Sequence, residues 1–121
     1  MREHNMNTKV HETYNAAVID LKGKIEGGPF AAEFKETLLS LLKQDKKNII
    51  VDMSDIKFIN SNGIGILVGG YTTVKNNGGE LRLVNSSHKV KGVLSITRLN
   101  QVFQNYGSME EALKSFEPVK Q

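Results

Sequence analysis

The sequence contains no cysteine among its 121 residues, which excludes disulfide bonds and thiolate chemistry. It also has no apolar run close to the roughly 20 residues that a membrane-spanning helix needs, so an integral membrane protein is not expected. The polar start "MREHNMNTKV" is unlike a secretory signal, and a cytoplasmic location is the default expectation. Because internal repeats, Pro-rich linkers and low-complexity tracts are missing as well, the chain should form one domain.

The charge pattern has no basic stripe with interleaved aromatic residues, the usual mark of nucleic-acid binding. The formal net charge is +3, and lysine and arginine are spread along the chain apart from short clusters such as "KQDKK" and "HKVK". We therefore expect no nucleic-acid partner. No Walker sequence is present, and the three histidines do not group with other candidate ligands. The sequence thus predicts no catalytic residue, no metal ligand and no cofactor.

What the sequence does contain is an alternation of strand and helix patterns. Strands are predicted for the stretches "YNAAVIDLKG", "NIIVDM" and "ELRLVN", with a brief one at "QVF". A helix is predicted from Gly28 and Pro29 onward, with Phe30, Phe34, Leu38, Leu41 and Leu42 on one face. Further helices are predicted after Ser86 or Ser87, with Val90, Val93 and Leu94 on one face, and after Ser108, which forms a capping box with Glu111.

This order predicts an α/β fold, a mostly parallel mixed sheet of four to five strands packed with about four helices. We expect the domain over residues 9–117, between a flexible N-terminal tail at 1–8 and a C-terminal tail at 118–121. A turn bordered by Asp52 and Asp55 is expected after "NIIVDM", and another at Asn77-Gly78-Gly79.

A third helical segment follows the stretch "FINSNGIG" and has two different faces. At 100° per residue one face is apolar and should pack on the sheet; it holds Ile64, Leu67, Val68, Tyr71 and Val74. The other face has no charge before Lys75; it holds Asn62, Gly65, Ile66, Gly69, Thr73 and Asn76, with Ser61 and Thr72 on its flank. Glycine costs about 1 kcal/mol relative to alanine inside a helix, so Gly65, Gly69 and Gly70 need a reason. Either a neighbouring segment or a partner backbone approaches closely, and in the second case Ile66 would be the apolar anchor.

Ser61 lies where this helix begins, and two interpretations are open. Asn60 or Ser61 is the helix cap, so Ser61 could serve only to accept a hydrogen bond from the first turn. Alternatively Ser61 is a phosphoacceptor, because a phosphate there would be stabilised by the helix N-terminus while adding nearly two negative charges beside an uncharged face. Gly63, Gly65 and Gly69 also give a pattern one residue off the dinucleotide fingerprint, and this pattern does not directly follow "NIIVDM".

The segment "VDMSDIKFINSNGIGILVGGYTTVKNNGGELRLVN" resembles the core of the bacterial anti-sigma factor antagonists, which are STAS domains. Their pattern is Asp-Leu-Ser, a short apolar stretch, and then Asp-Ser-Ser-Gly-Leu-Gly. The flanking stretches "LKGKIEGG" and "KVKGVLSITRLNQVFQNYGSMEEAL" are similar to the family as well, so the resemblance extends from about Val10 to Phe116.

This resemblance implies an antagonist that binds an anti-sigma factor and so frees a sigma factor. In the family the first serine of the motif is phosphorylated by that partner, a histidine-kinase-like ATPase, and a serine phosphatase belongs to the same system. The matching phosphoacceptor here is Ser61. The expected partner-binding residues are Glu26, Asn60, Ser61, Asn62, Gly65, Ile66, Gly69, Thr72 and Thr73. The protein is expected to be a monomer or a weak dimer. It is not expected to be an enzyme.

The sequence departs from the family pattern at three of these positions. Asn60 stands where the family usually has Asp, Asn62 where it often has a second hydroxyl, and Glu26 where Asp is common. Two alternatives therefore stay open. One is a constitutive STAS scaffold or accessory subunit that is never phosphorylated. The other is a small nucleotide- or phosphate-binding domain that uses the helix start at Ser61.

Overall fold

A five-stranded sheet forms the centre of the protein in the computed structural model, which describes residues 8–117. Its strands are β1 (Thr8–Glu12), β2 (Ala17–Ile25), β3 (Asn48–Ile59), β4 (Glu80–Val84) and β5 (Gln104–Tyr106). They lie in the sheet in the order in which they occur in the chain. The pair β1 and β2 is antiparallel and the other pairs are parallel. The predicted α/β fold with a mostly parallel mixed sheet is confirmed.

The described residues also form four α-helices and one 3-10 turn. The helices are α1 (Pro29–Lys43), α2 (Ser61–Asn76), α3 (His88–Ile96) and α4 (Met109–Lys114), and the turn is Leu99–Gln101. The larger core lies between one face of the sheet and the helices α1 to α3; it includes Ile19, Val51, Leu83, Phe34, Leu38, Leu67, Val74 and Leu94. Side chains alternate along a strand, so the neighbouring residues Val18, Ile50 and Val84 face the other side, where they pack with Ala112 of α4.

The starts of α3 and α4 are fixed by serine caps: the sequence predicted Ser108 for α4 and left Ser86 or Ser87 open for α3. Ser87 accepts a hydrogen bond from the Val90 amide at 3.2 Å, and Ser108 accepts one from the Glu111 amide at 3.2 Å. Pro29 occupies the first turn of α1, where its missing N–H is not needed. These contacts join residues only a few positions apart, which is why the sequence pattern alone was sufficient to locate them.

The predicted strands differ from the observed ones in their bounds, and one strand was not predicted. β2 begins and ends later than "YNAAVIDLKG", and β5 is Gln104–Tyr106, whereas "QVF" contributes to the 3-10 turn and the buried Phe103. β1 was missed, so Thr8, which the sequence analysis placed in the tail, is the buried first residue of β1. Residues 1–7 and 118–121 of the two predicted tails lie outside the described part of the chain.

The turn predicted at Asp52 and Asp55 does not exist, because β3 continues to Ile59. Both aspartates lie within β3. Asp52 is the β3 partner of Asp20, and Asp55 is the partner of Lys22 after a register shift. Asp52 accepts a hydrogen bond from the Ser54 amide at 3.0 Å. An aspartate that binds the backbone amide two residues later is also common in turns, so the sequence around Asp52 resembles that of a turn. The pairing with β2 keeps this segment extended.

Candidate functional site

The region predicted to be functional lies at the edge of the sheet where β2 and β3 end. Ile25 and Ile59 are the last residues of these strands and are partners in the parallel pair. α1 begins four residues after Ile25, and α2 begins directly after Asn60. The loop that contains Glu26 and the first turn of α2 therefore start from neighbouring points of the sheet.

Gly63 allows the first turn of α2 to lie against the end of β2. A Cβ atom at this position would be 2.0 Å from the Ile25 carbonyl oxygen, a distance that real structures do not show. The Asn60 amide donates a hydrogen bond to the same oxygen at 3.4 Å. A Cβ built on Gly27 would be 3.5 Å from the Cβ of Asn62, so the loop after β2 runs alongside this turn. Residues 26–28 and the start of α2 thus form one continuous surface.

The structure separates the roles of Asn60 and Ser61, which the sequence left open. Asn60 is the N-cap, and its side-chain oxygen accepts a hydrogen bond from the Gly63 amide at 2.9 Å. Ser61 is the first residue of the helix and is exposed. Within residues 8–117 its hydroxyl group makes no hydrogen bond. The cap is therefore complete without Ser61, and its Oγ atom is accessible from solvent.

The two predicted faces of α2 are present with a few differences. Ile64, Leu67 and Val74 are buried, while Val68 and Tyr71 are half-buried and pack against the same core. Of the residues predicted to bind a partner, Glu26, Ser61, Asn62, Gly65, Gly69 and Thr72 are exposed, whereas Asn60, Ile66 and Thr73 are half-buried.

Ile66 corrects one of the predictions. The sequence placed it on the outer face, but its side chain packs against the core beside α1. Helical periodicity gives the angle of a side chain around α2 but not the position of α1, which covers this flank. Ile66 therefore lies half-buried between α1 and α2 and is not a freely exposed anchor.

The glycines of α2 divide into two kinds. A Cβ on Gly70 would lie 2.6 Å from Phe34 Cε2 and 2.8 Å from Leu38 Cδ1, so close packing of α1 accounts for this glycine. A Cβ on Gly65 or Gly69 would meet no atom within 4 Å. Intramolecular packing thus explains Gly70 and Gly63 but does not explain Gly65 or Gly69. These two leave an exposed stretch of helix backbone without side chains.

The exposed surface of α2 is neutral over nearly its whole length. Its first charged residue is Lys75 in the last turn, which donates a hydrogen bond to Glu80 at 3.0 Å. This hydrogen bond, together with the attraction between the two charges, raises the pKa of Lys75. Glu26 is exposed in the loop beside the helix start and brings a carboxylate to that end. Because α2 itself has no charge before Lys75, a negative group added at Ser61 would change the charge of this helix face strongly.

Phe58 is a residue of this region that the sequence analysis missed. It lies in β3 two residues before the cap, is the β3 partner of Lys24, and is 41% exposed. The stretch after Met53 was interpreted as a turn, and a turn gives no basis for assigning a side chain to a face. Phe58 and Ile59 are both apolar, so no sequence pattern distinguishes the exposed side chain from the buried one.

A second cluster of charges lies on the face of the sheet opposite α1 and α2. His11 Nδ1 is 3.4 Å from an Asp20 carboxylate oxygen. Partial burial raises the pKa of Asp20, the charge of His11 opposes this shift, and the nearby Asp52 and Asp55 raise the pKa further. These groups belong to neighbouring strands and are remote in sequence, so no sequence motif unites them.

Among residues 8–117, no three His, Asp or Glu side chains are grouped so that they could hold a metal ion. In the same range, no helix combines the length and the apolar character needed to cross a bilayer. His88 is the exposed first residue of α3.

The family model for the STAS domain matches residues 7–112. The chain belongs to the STAS domain family. A curated relative is the anti-sigma-B factor antagonist of Bacillus subtilis strain 168, which is 29% identical over 98 residues, or 81% of this chain and 88% of the relative. The anti-sigma F factor antagonist of Paenibacillus polymyxa is 22% identical over 80 residues, or 66% of this chain and 68% of the relative. The resemblance inferred from the sequence is confirmed at the level of the family.

Solved structures of STAS proteins share the fold of this chain. The anti-sigma factor antagonist SpoIIAA in its unphosphorylated form superposes with a TM-score of 0.75 at 18% identity, covering 94% of this chain and 99% of the other. The phosphorylated form of the Bacillus protein SpoIIAA gives 0.69 at 20% identity, covering 91% and 99%. An anti-sigma factor antagonist from Mycobacterium paratuberculosis gives 0.76 at 20% identity, covering 89% and 91%. At these identities the similarity shows the fold.

Proposed function

We propose that this STAS protein is an anti-sigma factor antagonist whose binding to an anti-sigma factor is switched off by phosphorylation of Ser61. Unmodified, it would hold the anti-sigma factor and so release a sigma factor. The partner would be a serine kinase of the histidine-kinase-like ATPase type, and a serine phosphatase would restore the binding form. The protein would act in the cytoplasm and would have no catalytic activity or cofactor of its own.

One observation carries this proposal: Ser61 has no structural task that explains it. Asn60 performs the capping, and the hydroxyl group of Ser61 is exposed and makes no hydrogen bond within residues 8–117. The exposed face beyond it is neutral and contains two glycines, Gly65 and Gly69, that no intramolecular neighbour requires. A surface of this kind allows a partner backbone to approach closely, and a phosphate at its end would oppose that approach by its charge and its size.

The reaction would use ATP bound by the partner. Ser61 Oγ would attack the γ-phosphorus, the bond between that phosphorus and the ADP oxygen would break, and the hydroxyl proton would pass to a base of the kinase. The helix N-terminus favours the product, because its free N–H groups and the helix dipole stabilise negative charge. Asn60 supports the same outcome, since a neutral cap does not repel a phosphate on the next residue. Hydrolysis by the phosphatase would return Ser61 and inorganic phosphate.

A nucleotide-binding role has less support from the geometry. β3 continues to Ile59, so three residues separate the strand from Gly63, fewer than the sequence indicated. However, the Gly63 amide already donates to Asn60, and Gly63 is packed against the Ile25 carbonyl. The first glycine of that fingerprint should form the tight turn from strand to helix, whereas Gly63 already lies in the first turn of α2.

The test is a titration of the anti-sigma factor kinase of the same organism with wild type, Ser61→Ala and Ser61→Asp. We expect Ser61→Ala to bind as wild type and to take up no phosphate from ATP, and Ser61→Asp to bind more weakly. Asp carries about half the charge of phosphoserine, so a partial loss is expected. Ser95→Asp, the same change at an exposed serine of α3, is the matched control.

Thermal melting of the same variants separates binding from folding. Negative charge at a helix N-terminus is stabilising by about 0.3 to 1 kcal/mol, so Ser61→Asp should melt no lower than wild type. Unchanged affinity of Ser61→Asp, together with no phosphate on Ser61 of the wild type after incubation with the kinase and ATP, would refute the switch. It would favour a constitutive scaffold instead.

A further inference from the structure

An apolar groove lies between α1 and α2, next to the exposed glycines. Its volume is about 200 Å³, and Phe34, Leu38 and Ile66 supply its apolar surface. Gly70 brings the two helices together at this point, because any side chain there would displace the ends of Phe34 and Leu38. A cavity of about 150 Å³ lined by such residues accepts a benzene ring. The groove is therefore large enough for one aromatic or leucine-sized side chain.

Gly69 keeps this groove open to solvent. It lines the groove, and a Cβ on it would meet no atom within 4 Å, so the space above it is free. The same residue belongs to the neutral face proposed to meet the partner. The groove and that face are consequently parts of one continuous surface, and a partner backbone lying over Gly65 and Gly69 would pass along the groove.

Lys35 provides the charge at the groove. It lines the groove from α1, is exposed, and makes no ion pair within residues 8–117. The adjoining face of α2 has no charge before Lys75, and Lys75 is already paired with Glu80. A partner that buries an apolar side chain in the groove would therefore meet the ammonium group of Lys35, which has no ion-pair partner within residues 8–117, and a carboxylate is the group that complements it.

We propose that the groove receives an apolar side chain of the anti-sigma factor, aromatic or leucine-sized, that is accompanied by a carboxylate paired with Lys35. This inference rests on the proposed function, because it names the chemistry of the partner at the same surface. The apolar side chain would supply affinity through its burial, and the carboxylate would fix its position relative to α1.

The experiment measures binding of the purified anti-sigma factor kinase of the same organism to four variants. Gly69→Leu fills the groove with this chain's own side chain, and Lys35→Glu reverses the charge beside it. Gly92→Leu, the same replacement at a helical glycine of α3 that also has no atom within 4 Å of its Cβ position, is the control for the first. Lys91→Glu, a charge reversal at an exposed lysine of α3, is the control for the second.

We expect Gly69→Leu to weaken binding at least about tenfold, the usual effect of losing a buried anchor, and both controls to bind as wild type. Lys35→Glu should weaken binding at low salt, and the difference should shrink as the salt concentration rises. Melting temperatures accompany each titration. If Gly69→Leu melts below wild type, Lys35→Glu and the smaller Gly69→Ala decide the question.

The outcomes distinguish this inference from the function on which it rests. If Ser61→Asp weakens binding while Gly69→Leu and Lys35→Glu bind as wild type, the groove proposal is overturned and the switch stands. If wild type does not bind the kinase, both are overturned. If Gly69→Leu abolishes self-association of this chain in sedimentation but leaves kinase binding unchanged, the occupant is a second copy, and the proposal as stated here is wrong.

Discussion

Replacing each glycine of α2 by alanine should change stability in opposite directions within one helix. At Gly65 and Gly69 the new methyl group enters open space. Both substitutions then gain the helix propensity of alanine, about 0.8 to 1 kcal/mol each in the free energy of unfolding. At about 2.1 cal/mol/K of unfolding entropy per residue over 121 residues, each should raise the melting temperature by roughly 4 °C.

At Gly70 and Gly63 the same change meets atoms. At Gly70 the ends of Phe34 and Leu38 must move, and overpacking of about 1 to 3 kcal/mol is offset by about 1 kcal/mol of helix propensity. A net loss of roughly 0 to 2 kcal/mol is expected. At Gly63 the obstacle is the Ile25 carbonyl oxygen, a backbone atom fixed in β2, so the first turn of α2 must shift. We expect a loss of about 3 kcal/mol or more.

Urea unfolding of the four variants measures these free energies, and titration with the anti-sigma factor kinase measures their binding. Gly65→Ala and Gly69→Ala should be more stable than wild type and yet bind more weakly, a combination that damage to the fold cannot produce. A Gly63→Ala variant as stable as wild type would refute the geometric reasoning. So would a Gly65→Ala variant that is less stable, because open space on an exposed helix face leaves no source for a loss.

Three further outcomes are expected. Asn60→Ala should lower the free energy of unfolding by about 1 kcal/mol, measured in urea, because the Gly63 amide loses its acceptor. Asp20→Asn should raise the free energy of unfolding at neutral pH, because the pKa of Asp20 is raised in the folded protein. The contribution of Asp20 to stability is most favourable below about pH 3.8 and is lost as the pH rises. The stability gained by Asp20→Asn should therefore vanish in melting curves recorded at acid pH. Ile66→Asp should lower the melting temperature as well as binding, since Ile66 packs on the core, whereas Gly65→Glu should lower binding alone.

Local sequence patterns predicted the helices, the fold class and the cap Ser108, and they narrowed the caps of α2 and α3 to two neighbouring residues each. The apolar periodicity of α1 and α2, the proline after Gly28, and the capping serines before α3 and α4 depend on residues within a few positions of one another. The same local information placed Ser61 at an exposed helix start. The family motif then identified it as the candidate phosphoacceptor, which stays a proposal.

Tertiary structure alone decided the points where distant segments meet. β1 and the second half of β3 exist because they pair with β2, and no pattern within "TKVHE" or "SDIKFI" reveals that pairing. Gly69 and Gly70 are adjacent and identical in sequence, yet one faces open space and the other the side chains of α1. Ile66 likewise became a wall of the groove through the position of α1. A local pattern fixes the direction of each side chain around its own helix, but what occupies the space in that direction depends on how the helices and strands pack together.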